Sequence, residues 1–131
     1  MELRVTSQVL EELRAAAARA HPQEACGILR GEGAKITAFV EAANVHEAPQ
    51  THFEIDPQSL IDAYRKEREG GLQVLGYFHS HPNGPPAPSA TDQKMAAKDG
   101  KIWAIYGNGE IQFWRDSGAG FEPLSYIEAD T

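Results

Sequence analysis

Histidine at positions 79 and 81 and aspartate at 92 can together supply three donors to one zinc ion. Imidazole and carboxylate are ordinary zinc ligands, and a catalytic centre uses three protein ligands and keeps the fourth position for water. Such a centre needs two further groups. A base must take the proton of a water whose pKa the metal lowers to about 7, and something must stabilise the oxyanion that forms on the attacked carbonyl. Glu24, at the start of an apolar stretch that ends at Gly31-Glu32-Gly33, is the candidate base. By composition alone, it reads more readily as a solvated glutamate at the start of a strand.

The elements around these residues have to aim them. Leu72–Phe78 is short, apolar and aromatic, and follows Gly70-Gly71, which reads as a buried strand. Residues i and i+2 of a strand share a side, so His79 and His81 leave its C-terminal end pointing at one place. Pro82 to Pro88 is a loop stiffened by four prolines. After it, Ser89 reads as the N-cap of a helix-compatible stretch, Gln93–Lys98, with Asp92 in the first turn. Ser-x-x-Asp is also a capping-box variant, in which both side chains only satisfy backbone donors. Neither His-x-His nor this box means much alone; their conjunction is far more specific.

Taken together, Glu24 in Pro-x-Glu-x-Cys-Gly-x-Leu-x-Gly, then His79-Ser80-His81, ten residues that begin with Pro82, and Asp92 resemble the motif of the JAMM metalloproteases, also called MPN-plus or JAB. The segment Asn44–Pro57, with Phe53-Glu54-Ile55-Asp56-Pro57, is similar to one that family members carry before their second helix. The likeness runs from about Ser7 to Trp114. It implies a cytidine-deaminase-like α/β fold. It also implies zinc held by His79, His81 and Asp92, with Glu24 deprotonating the catalytic water and Ser89 hydrogen-bonding the oxyanion. Ser80 fills a variable position. The implied reaction is hydrolysis of an amide after the C-terminal Gly-Gly of a ubiquitin-like or sulfur-carrier protein, including release of cysteine from a carrier–cysteine adduct. The tail would lie extended beside a strand edge. The alternatives are a non-catalytic scaffold domain of the same fold, and a zinc amidase acting on a small molecule or cell-wall peptide.

The remaining pattern reads as a mixed sheet flanked by helices, in a single domain over residues 1–131. Ser7–Ala20 carries Leu10, Leu13, Ala17 and Ala20 at helical spacing, with Ser7 as its cap. Glu24–Arg30 and Lys35–Asn44 read as strands, and His52–Ile55 as a shorter one. Asp56-Pro57 opens a second helix with Leu60, Ile61 and Tyr64 as its core stripe. Arg65, Lys66 and Arg68 sit at its end, where cations complement the helix dipole. Lys101–Tyr106 and Glu110–Trp114 flank Asn108-Gly109, a type I′ hairpin signal. Phe121–Ile127 reads as one edge strand and Glu128–Thr131 as a loose tail. Trp103, Phe113, Trp114 and Tyr106 are expected in packing, and His21, His46 and His52 in loops.

Composition narrows the function classes. The chain has 131 residues and a formal charge of −7, which disfavours non-specific nucleic-acid binding. No apolar run is long enough to span a bilayer, and the N-terminus lacks a signal pattern. The one cysteine, Cys26, excludes an internal disulfide and reads as a small buried hydrophobe on Glu24's side; a reducing cytoplasm is expected. A nucleoside deaminase would need Cys-x-x-Cys, a gluzincin His-Glu-x-x-His and a serine hydrolase Gly-x-Ser-x-Gly, and none occurs. Oligomeric state is not legible.

Overall fold

The apolar stripe of residues 7–20 and the alternating runs after it assemble as helices packed on a sheet in a computed structural model that describes residues 2–130. In chain order the elements are β1 (Leu3–Thr6), α1 (Ser7–Ala20), β2 (Cys26–Glu32), β3 (Lys35–Ala42), α2 (Pro57–Arg68) and β4 (Gln73–Ser80). There follow α3 (Ala90–Met95), β5 (Ile102–Gly107), β6 (Glu110–Ser117), β7 (Gly120–Leu124) and β8 (Tyr126–Ala129). The strands form one sheet in the order β7-β6-β5-β4-β2-β3-β1-β8. It is mixed: β4 runs parallel to β5, and β1 parallel to β3 and β8, while the other pairs are antiparallel.

Each face has its own apolar cluster. Val9, Leu10, Leu13, Ala16 and Ala17 of α1 pack on Leu3, Val5, Leu29, Ile36 and Phe78. On the other side Ala63 of α2 meets Cys26, Ile28, Ile55 and Val74. A bulge decides which side the end of β4 presents. Leu29 lies opposite Gly76 and Arg30 opposite Val74, so Leu75 is the extra residue. Leu75 and Phe78 then face the α1 cluster, Val74 and Tyr77 the α2 cluster, and His79 follows Tyr77.

Several sequence expectations shift. β4 runs on through His79 and Ser80, and β2 starts at Cys26, leaving Glu24 two residues ahead of it. The third helix begins earlier than Gln93–Lys98, at Ala90, because Ser89 does cap it. Thr6, not Ser7, caps α1: its Oγ1 accepts from Val9 N at 3.2 Å. Residues 52–55 contribute only a bridge, Ile55 to Asn44. Ile61 is 48% exposed and leaves the core stripe to Leu60, Ala63 and Tyr64. The C-terminal stretch is two strands on opposite edges of the sheet, not one strand and a tail, with Thr131 outside the described residues. β1, which carried no periodic signal over four residues, is held by these long-range pairings and buries Leu3 and Val5 completely. Asn108 (φ 50°) and Gly109 (φ 79°) take the left-handed pair that the hairpin turn demands.

Candidate metal centre

β4 delivers the two histidines. His81 N donates to Tyr106 O at 2.7 Å, which carries the pairing with β5 one residue beyond the strand's end. Glu24 is brought opposite by three ties. Its own N–H donates to Pro49 O (2.7 Å), Asn44 Nδ2 donates to its carbonyl (3.1 Å), and next door Ala25 N donates to Ser80 Oγ (2.8 Å). Ser80 thus has a structural post between the histidines, with its side chain away from them. Asp92 arrives on α3 through a complete capping box: Asp92 N donates to Ser89 Oγ at 3.0 Å and Ser89 N to Asp92 Oδ2 at 2.9 Å. The capping reading of Ser-x-x-Asp is therefore real, and it is the means by which Asp92 is aimed.

His79 Nε2, His81 Nε2 and Asp92 Oδ2 lie 3.1 Å from one another. Donors about 2.0–2.1 Å from a tetrahedral ion are separated by about 3.3–3.4 Å, so this triangle has the size of one face of such a site. Its proton inventory also asks for a cation. His81 Nδ1 is 2.8 Å from Pro85 O, and a carbonyl only accepts, so in the neutral ring Nδ1 carries the proton and Nε2 presents a lone pair. Asp92 Oδ2 is an acceptor, and neutral His79 can place at most one proton among the three atoms. The donor set fits a metal ion.

The electrostatics point the same way. Burial lowers His79, and the Asp92 carboxylate beside it does not reverse this, so the ring is held neutral. Burial would lower His81 as well, but Asp92 and the Pro85 carbonyl outweigh it and raise that ring. Burial would raise Asp92; the two histidines beside it and the Ser89 N–H prevail and hold it well below its usual 3.8. Glu24 is different. It is 6% exposed, its carboxylate makes no hydrogen bond among the described residues, and burial pushes it from 4.5 to about 7, with His81 opposing and Asp92 adding. A carboxylate poised near neutrality can take a proton and give it back.

Glu24, His81 and Ser89 share a cavity of about 400 Å³, walled by Gln50 and Thr51 on one side and the Pro82–Pro88 loop on the other. Ser89 Oγ accepts from a backbone N–H, which leaves its own hydroxyl proton free to donate into that cavity. Gly107 lets the proline loop settle on the end of β5: a Cβ there would lie 2.4 Å from Gly84 O and 2.6 Å from Pro85 C. Trp114 Nε1 donates to Pro86 O at 3.1 Å and fixes the same loop. β4 lies inside the sheet, and neither edge strand lines the cavity, which opens between two loops.

Two contributors were not found from the sequence. Asn44 donates to the carbonyls of Glu24, Pro49 and His52 and accepts from His46 N and Glu54 N, pinning the whole 44–54 segment; no periodicity marks it. Phe53, quoted only as part of a family-like segment, stacks on His79. His46 and His52 stack on each other (4.7 Å) and with Phe53 face Thr91 and Met95 of α3 across a narrow groove beside Asp92. His21 is not part of the donor triangle; it lines a second cavity, with Ala17 of α1, that His81 and Pro82 border from the other side. Cys26 is fully buried opposite His79 in the β2–β4 register, and burial pushes its thiol up to about 12, which makes it inert packing.

A family model described as prokaryotic homologs of the JAB domain matches residues 6–117. The chain is 33% identical over 99 residues to a desampylase of Haloferax volcanii, covering 74% of this chain and 71% of that protein. It is 37% identical over 94 residues to a probable TtuB-protein conjugate cleaving protease of Thermus thermophilus, covering 72% of this chain but 63% of that protein. A CysO-cysteine peptidase of Mycobacterium tuberculosis is 25% identical over 133 residues, covering 95% and 90%. Among solved structures, a protein from Desulfitobacterium hafniense superposes with a TM-score of 0.85 at 29% identity, covering 98% of this chain and 94% of that one. A chain described as the JAMM metalloprotease-like zinc site shares the fold, with a TM-score of 0.59 at 20% identity, covering 98% and 100%.

Proposed function

The chain belongs to the prokaryotic JAB-domain family, and from that premise we propose that it is a zinc metallopeptidase. Its proposed substrate is an amide bond that follows the C-terminal Gly-Gly of a ubiquitin-like or sulfur-carrier protein. The observation that carries this reading is the three-donor triangle with Glu24 and Ser89 sharing the cavity in front of it. His79, His81 and Asp92 hold the metal, and residues 1–131 act as one catalytic domain. When bound, zinc polarises the scissile carbonyl and makes a water acidic enough to attack it at neutral pH.

The chain's own residues do the rest. Glu24 accepts the proton of the attacking water, because burial has raised its affinity for that proton to about neutrality. It then delivers the proton to the departing amine. The Ser89 hydroxyl donates to the carbonyl oxygen as charge builds there. Asp92 is kept anionic and Ser89 N–H holds it in place. The cavity between Gln50-Thr51 and the proline loop is the place we assign to the Gly-Gly tail.

Relatives named for conjugates of different small proteins support the carrier class, since desampylases, a TtuB-conjugate protease and CysO-cysteine peptidases all resemble this chain. No helix among the described residues is long and apolar enough to cross a membrane. The single buried thiol suits the cytoplasm, where we place the reaction. The acidic surface disfavours nucleic acid as a partner. Incubation of zinc-loaded protein with a panel of carrier and ubiquitin-like Gly-Gly amide conjugates, followed by intact mass, tests the reading. Cleavage after the last glycine by wild type but not by Glu24→Ala is the expected result. Bound zinc without cleavage of any conjugate would discard the substrate class.

A further inference from the structure

His79 and His81 are held by different means. His81 has a carbonyl on its second ring nitrogen, whereas Nδ1 of His79 is buried and has no hydrogen-bond partner. A ligating histidine ordinarily gives its other N–H to a carboxylate or carbonyl, which fixes the tautomer and the plane of the ring. At His79 aromatic contacts stand in that place. The Phe53 ring lies 4.3 Å away, centroid to centroid, at an interplanar angle of 14°, and Trp103 meets His79 edge-on at 5.5 Å and 88°. Trp103 also meets Phe53 edge-on, at 5.9 Å and 79°, so the three rings brace one another. Turning the imidazole about its Cβ–Cγ bond would drive its edge into the Phe53 face.

We propose that Phe53 is a positioning residue for the metal centre: its face sets the plane of the His79 imidazole and so aims Nε2 at the other two donors. This rests on the reading of His79, His81 and Asp92 as metal donors. Phe53 is held for the task by its neighbours, since Glu54 N and the His52 carbonyl on either side of it both end on Asn44. The same ring is only partly buried and lines the groove against Met95, so the wall of the groove and the support of the donor are one side chain.

The test compares wild type with Phe53→Leu, which keeps apolar bulk but has no flat face, and Phe53→Tyr, which keeps the ring. Each protein is stripped of metal and titrated with zinc against a chromogenic chelator. The visible spectrum of the cobalt form reports donor geometry, and melting of the metal-free proteins reports folding. Phe53→Leu is expected to weaken zinc binding about tenfold or more and to alter the cobalt bands, in the range seen when a ligand's support is removed. Phe53→Tyr is expected to stay within about threefold of wild type with an unaltered spectrum. Equal affinity and spectrum in Phe53→Leu, or an equal loss in both variants, would overturn the inference, whatever happens to the metal-free melting temperature. A wild-type protein that takes up no zinc would remove the metal reading and this inference with it.

Discussion

Against α1 the sheet buries Leu3, Val5, Leu29, Ile36 and Phe78, each fully out of solvent. Against α2 the apolar cluster is smaller and gives way toward the ends of the strands to His79, Asp92 and Glu24, all less than a tenth exposed. Both faces use the same strands, so the difference lies in what each side chain gains by burial. An apolar side chain gains about 1.5–3 kcal/mol on leaving water. An ionised carboxylate gains nothing unless a charge or donor meets it, and Glu24 has neither at hydrogen-bond distance. The α1 face supplies stability that the α2 face partly gives up, and the groups that give it up are those with chemistry to do.

The comparison breaks most completely if the three donors are not a unit. His79→Ala and Asp92→Ala should each lose stoichiometric zinc and all turnover, read by metal analysis beside an activity assay; unchanged metal in both would end the ligand assignment. Next in size, Glu24→Gln should keep its metal and lose about 10²–10⁴ in kcat. In wild type, activity should rise with pH as Glu24 ionises, with a midpoint below 7 because a bound cation beside the carboxylate favours its charged form. A midpoint that survives in the Glu24→Gln remnant would assign the limb to another group. Ser89→Ala should cost about 10²–10³ in kcat as an oxyanion donor is lost. A loss of only the capping contribution, seen in melting and not in kcat, would return Ser89 to a structural role.

On the other face the expected effect is on stability alone. Leu13→Ala should destabilise by about 2–5 kcal/mol in chemical denaturation, with kcat per folded molecule unchanged. The smallest effect sharpens the contrast at a single residue. Because the folded state binds the Glu24 proton more tightly than the unfolded chain, the metal-free protein is favoured below pH 4.5 and loses that advantage as pH rises through about 7. The full difference is about 3 kcal/mol at most. Glu24→Gln should lack this component, so at pH 8 the metal-free variant should be more stable than wild type and at pH 4.5 should not. Parallel pH profiles for the two would mean that burial does not strain this carboxylate.

Much of the site was legible because its spacing obeys backbone geometry. His79 and His81 follow from the two-residue period of a strand, and Asp92 from the first turn of the helix that Ser89 caps. The pairing of β1 with β8 was not legible, since four residues show no period and their partner lies at the far end of the sequence. The split of residues 120–129 between opposite sheet edges was hidden for the same reason. Ile61 failed because a stripe of apolar residues shows which face of a helix turns inward, not how far along it the sheet extends. Phe53 and Asn44 had the right types for packing and for a turn, and only tertiary contact distinguishes a ring that stacks on His79 from one that fills space.

The five hydrogen bonds centred on Asn44 also set how this part of the molecule moves. His46 N–H and Glu54 N–H both terminate on one Oδ1 atom, and the Glu24 carbonyl is tied to the Nδ2 of the same amide. Local opening of the 45–54 segment therefore has to release both amides in a single event, so their hydrogen exchange should slow and quicken together under native conditions. The same event frees the backbone of Glu24. Opening of the segment and loosening of the Glu24 backbone are thus two readings of one fluctuation, and its free energy, measured at those two amides, bounds how often the intact cavity is on offer.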